Sequence, residues 1–121
     1  MNTLSINVFE TPSFVVVRLE GQGGFRSGDL LEEPLRRIGE GKPSLVVFDL
    51  AKLTFVASLF LRQLVMFRRN MSNHKGVVQM AAVQPQVREV LRAAGLEELF
   101  EFIPEAPAVP ADQGNTVSPI K

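Results

Sequence analysis

The run Leu45-Val46-Val47-Phe48-Asp49-Leu50 constrains this chain most, because it is apolar at every position but one. A strand with one wet face alternates apolar and polar side chains; a strand covered on both faces does not. The run therefore reads as the central strand of a sheet. A helix follows it after a short connector, from about Ser58 to Asn73. On a helical wheel Phe60, Leu61, Leu64, Val65, Phe67 and Met71 share a wide apolar face, and Arg62, Arg69, Asn70 and Asn73 lie opposite. Leu59 and Met66, two turns apart, fall within the polar side.

The flanking elements build outward from that unit. Leu4, Ile6 and Val8 alternate with Ser5 and Asn7, the period of a half-buried strand. Thr11-Pro12-Ser13 makes a turn, and the β-branched run Phe14–Leu19 reads as its antiparallel partner. Gly21–Gly24 reads as a flexible loop. A helix is expected from about Asp29, with Leu31, Leu35 and Ile38 at helical spacing and Asp29 and Glu32 spaced as a capping box. Pro34 fits a first turn but not an interior. Val77–Val83 is a further strand. Pro85 then opens a third helix and Gly95 closes it. Leu99, Phe100, Phe102 and Ile103 suggest a short closing strand or an apolar clasp.

Strands that alternate with helices imply right-handed crossovers and parallel pairing, while the first two strands add an antiparallel pair. The expected architecture is α/β with α+β character: a four- to five-stranded mixed sheet with helices packed mainly on one face. One domain spans 1–103. The segment 104–121 is rich in proline and small residues and is expected to be a disordered tail.

With 121 residues the chain suits a single domain, and 45% hydrophobic residues can build one core. Lys and Arg number 13, as do Asp and Glu, so net charge argues for neither nucleic acid nor an anionic membrane as the main partner. Absence of cysteine excludes disulfides, thiolate metal sites and thiol nucleophiles. No secretory leader or spanning segment is visible, so a cytoplasmic protein without direct membrane insertion is expected.

Two stretches resemble the STAS domain, the fold of bacterial anti-sigma factor antagonists. In the first, Val56-Ala57-Ser58-Leu59-Phe60-Leu61 is similar to the family's hydrophobic–Asp–Ser–Ser/Ala–Gly–Leu after a strand ending in Asp. In the second, Pro85, Val87, Val90, Leu91, Gly95, Leu96, Leu99 and Phe100 match the family's later signature. The resemblance covers roughly residues 3–103. It implies that Ser58 is the phosphoacceptor of a partner serine kinase, itself the anti-sigma factor. It also implies a partner-binding end around Gly23, Gly24, Phe25, Ala57 and Ser58, beside which the wheel sets Leu59, Phe60, Arg62 and Met66 as a contact strip. Three family residues are changed: its two acidic positions are Ala57 and Gly24, and its glycine is Phe60. As read from the residues, Ser58 is also a helix cap.

No enzyme is implied, and no cofactor or metal. His74 is the sole histidine, about 20 Å from Ser58 at the far end of the helix, too far for proton transfer. Gly21–Gly24 lacks dinucleotide-loop spacing, and the P-loop-like Gly39–Ser44 precedes a strand instead of a helix. The favoured function is a regulatory protein-interaction domain like an anti-sigma factor antagonist. The alternatives are a non-switching scaffold in a larger complex, for signalling or lipid transport, and a small-ligand or nucleotide-binding domain. Apolar surface at Leu59, Phe60 and Met66 would suit a homodimer as well as a foreign partner.

Overall fold

The computed structural model describes residues 4–24, 27–109 and 114–117. The elements run β1 (Leu4–Glu10), β2 (Val15–Gly23), α1 (Ser27–Glu40), β3 (Leu45–Val56), α2 (Ser58–Ser72), β4 (Val77–Ala81), α3 (Pro85–Ala93), β5 (Glu101–Ile103) and β6 (Gly114–Val117). The sheet order is β5-β4-β3-β2-β1-β6. β1 pairs antiparallel with β2, whereas β2–β3, β3–β4 and β4–β5 are parallel. This is a mixed five-stranded sheet with three helices, at the upper end of the expected four to five strands, extended by one short strand.

Parity along the strands sorts side chains between two faces. Val15, Val17 and Leu19 of β2, with Val46, Phe48 and Leu50 of β3, join one core, which also takes Leu31, Leu35 and Ile38 from α1 and Val87 and Leu91 from α3. α2 inserts Phe60, Leu61, Leu64, Phe67 and Met71 into the same core, with the Phe67 ring edge-on to Phe48 at 5.7 Å. All three helices therefore share one face of the sheet.

The other face explains the doubly apolar central strand. Phe9, Val16, Val47 and Ala81 are buried there without any helix. Phe14, Leu45 and Ile103 pack against them, and the chain beyond β5 adds Ala106 and Val109 to the cover. It then rejoins the sheet as β6, antiparallel to β1 with Ile6 opposite Val117 and Phe9 opposite Gly114. Of the segment 104–121, expected as a tail, residues 104–109 and 114–117 are described, and 110–113 and 118–121 lie outside the described residues. A tail poor in bulk can still be ordered when its apolar residues close an open sheet face and its backbone completes an edge.

The same face is polar at its other end. Arg18 Nε donates to Asp49 Oδ2 at 3.2 Å, the guanidinium sits 4.8 Å from the Phe9 ring centre, and Asp49 Oδ1 accepts from the Ala51 N–H. Other boundaries shift modestly. The expected loop at Gly21–Gly24 is mostly strand, because β3 runs on to Val56 and pairs Glu20–Gly23. Gly21, with φ of 107°, accommodates the register break beside it. α1 starts at Ser27, so Asp29 lies in its first turn instead of capping it, and Pro34 sits inside the helix. Gly95 closes α3 as expected: its φ is 74°, and the Leu96 and Gly95 N–H groups donate to the Leu91 and Arg92 carbonyls.

Candidate protein-interaction site at the start of the second helix

The sharp join between β3 and α2 positions the site. The Ala57 N–H donates to the Gly23 carbonyl at 2.7 Å, tying the end of β3 to the end of β2. Ala57 is extended (φ −100°, ψ 163°), and its carbonyl accepts the Leu61 N–H, the first bond of the helix. Ala57 is therefore the N-cap and Ser58 the first helical residue. This corrects the expected capping role of Ser58. A cap works through a side-chain oxygen one position earlier, and alanine has none. The Ser58 side chain is exposed, and α2 has no side-chain cap.

Ala57→Asp places a carboxylate at a ready-made N-cap and against the positive end of the helix, and is expected to stabilise the fold by about 1 kcal/mol. Ser58→Ala is expected to change stability by less than about 0.5 kcal/mol, as at other surface positions. Denaturant unfolding of both variants checks the assignment; the reverse ranking would restore Ser58 as the cap.

The expected contact residues divide in two. Leu59 (40% exposed) and Met66 (48%) lie on the outer side of α2 with exposed Arg62, as the wheel places them. Phe60 does not join them. Its ring is fully buried and covers Gly23, where an added Cβ would lie 2.7 Å from it. Phe60 therefore fills space left by a glycine on the neighbouring strand, and Gly23 and Gly24 are likewise buried. Phe25 lies outside the described residues. Sequence reading missed Phe55, which is 49% exposed near the end of β3. A phenylalanine beside Val56 reads as core, and nothing in the pattern marked it as outward.

The remaining chemistry is sparse. His74 Nε2 lies 2.8 Å from the Pro43 carbonyl, tying the end of α2 to the α1–β3 turn. Among the described residues no His, Asp or Glu cluster could hold a metal ion, and no helix is long and apolar enough to cross a membrane. A groove of about 220 Å³ separates α1 from α2, lined in part by Glu32, Gln63, Met66 and Asn70.

The family model for the STAS domain matches residues 5–108. The chain belongs to the STAS domain family. An anti-sigma factor antagonist from Mycobacterium paratuberculosis shares the fold at a TM-score of 0.75 and 22% identity, covering 84% of this chain and 86% of that one. The Bacillus cell fate determinant SpoIIAA in its phosphorylated form gives 0.65 and 17%, covering 81% and 90%. A sulfate transporter family protein from Wolinella succinogenes gives 0.66 and 16%, covering 76% and 78%. No curated protein sequence matches the chain.

Proposed function

We propose that this chain is a regulatory protein-interaction domain of the anti-sigma factor antagonist kind, which binds a partner anti-sigma kinase through the start of α2 and is switched by phosphorylation of Ser58. The observation that carries the reading is the exposed, non-capping Ser58 hydroxyl at the first position of a helix flanked by exposed Leu59, Arg62 and Met66. A hydroxyl free of structural duty can be modified without unfolding the helix. The helix N-terminus favours the added charge, about −1.5 to −2. The same charge in a closed protein interface is strongly disfavoured unless it is paired, which makes one residue both substrate and gate.

The test is capture from native-host lysate with wild type and Ser58→Asp as parallel baits, read by mass spectrometry. The expected result is a serine kinase retained by wild type and reduced at least tenfold with Ser58→Asp. Retention of the same non-kinase protein by both baits, or of nothing, favours a second reading. That reading is a non-switching STAS scaffold within a larger complex, for signalling or lipid transport. It is supported by Ala57 and Gly24 standing at the family's acidic positions and by the fold's occurrence in a sulfate transporter family protein. A small-ligand or nucleotide-binding role would instead show as saturable stabilisation on adding ligand.

A further inference from the structure

Charge is divided unevenly along this neutral chain. Between Asp49 and Glu89 there is no acidic residue, while Lys52, Arg62, Arg68, Arg69, Lys75 and Arg88 all fall there. Ion pairing does not cancel the excess. Arg18, Arg36, Arg88 and Arg92 are paired to carboxylates, but Lys52, Arg62, Arg68, Arg69 and Lys75 form no ion pair among the described residues. Arg62 and Arg69 lie two turns apart on the exposed side of α2, the same interval that separates Leu59 from Met66. The two acidic family positions at this end are Ala57 and Gly24. The result is an exposed apolar stripe bordered by uncompensated cations. Glu32 and Arg36 of α1 line the groove across from Met66, and Arg36 is already paired with Glu33 and Glu40.

We infer that the outer face of α2 docks an acidic amphipathic helix of a protein partner, its apolar side chains on Leu59 and Met66 and its carboxylates on Arg62 and Arg69. The inference rests on the protein-docking reading above and adds the partner's charge. Two cations two turns apart match the repeat of a helix laid alongside, and opposite charge both steers association and rejects basic competitors. Regulation follows from the same geometry. Arg62 is one turn from Ser58, so a phosphate there would draw Arg62 to itself and repel an acidic partner.

The test is an NMR titration of the full chain with two synthetic 18-residue helical peptides sharing one leucine pattern, with polar positions all glutamate or all lysine. A third arm uses phosphatidylglycerol vesicles. Expected are shifts at Leu59–Arg69 with the glutamate peptide alone, and affinity at least tenfold weaker at 300 mM than at 50 mM salt. Arg62→Glu with Arg69→Glu, both exposed, should reverse the preference; the change at Arg69, in the last turn of α2, should cost only a small part of the stability, so the folded variant can be titrated. Equal or stronger binding of the lysine peptide, binding of vesicles alone, or no peptide shift at millimolar concentration overturns the inference. Those outcomes leave the Ser58→Asp capture result untouched, so the two readings fail separately.

Discussion

Phe60→Ala is expected to cost about 3–5 kcal/mol, the range for removing a fully buried aromatic side chain. That approaches the whole stability of a small domain, about 5–15 kcal/mol. The side chain is fully buried and its ring lies over Gly23. Truncation leaves a void bounded by α2 and the end of β2, where β2 is pinned to the helix start by the Gly23–Ala57 hydrogen bond. The reciprocal change, Gly23→Ala, drives a Cβ into the ring and is expected to cost about 1–3 kcal/mol by overpacking. Because the two side chains compete for one space, Gly23→Ala should be much less costly in a Phe60→Leu background. Denaturant unfolding of the double-mutant cycle measures that coupling, and strict additivity of the two changes would disprove the interlock. Leu59→Ala, on the exposed side of the same turn, should shift stability by less than about 0.5 kcal/mol.

The interlock shows where sequence reading succeeds and where it stops. The order of strands and helices was legible because each element carries its own period: alternation in β1, a continuous apolar run in β3, and a 3.6-residue stripe in α2. The outward placement of Leu59 and Met66 followed from that stripe. The wheel also placed Phe60 on the apolar side, but at its edge, where it read as widening the contact strip. Only the tertiary pairing with Gly23, 37 positions earlier by number, shows that the ring has a buried home. The cap assignment failed by a single residue, since composition marks a serine near a helix start but only backbone dihedrals decide which residue is the first helical one. Ala106 and Val109 carry no period at all. Their cover of the second face is a property of the chain's path, and proline-rich composition masked it.

That path carries the second large effect. Deleting 104–121 is expected to lower stability by about 4 kcal/mol, taking roughly 150 Å² of uncovered apolar surface at about 25 cal/mol per Å². For a domain near this size the loss corresponds to a fall in melting temperature on the order of 15–20 °C. Two contributions combine. Removing Ala106 and Val109 uncovers part of the cluster of Phe9, Val16, Val47 and Ala81, leaving Phe14, Leu45 and Ile103 against it. Removing β6 also opens the backbone of Ile6–Phe9 along the outer edge of β1. An unpaired strand edge beside an apolar face is a template for association, so the truncated protein should sediment as concentration-dependent oligomers while the full chain does not. Val109→Asp isolates the first contribution. It leaves the β6 backbone pairing available but sets a carboxylate at a half-buried position against the cluster, and should cost about 1 kcal/mol, the low end for an unpartnered polar group because part of it stays in water. Thermal unfolding with sedimentation velocity decides between the outcomes. An unchanged melting temperature in both variants would mean that the second face is held by its own side chains. A loss in the truncation but not in Val109→Asp would assign the stabilisation to the β1 edge instead.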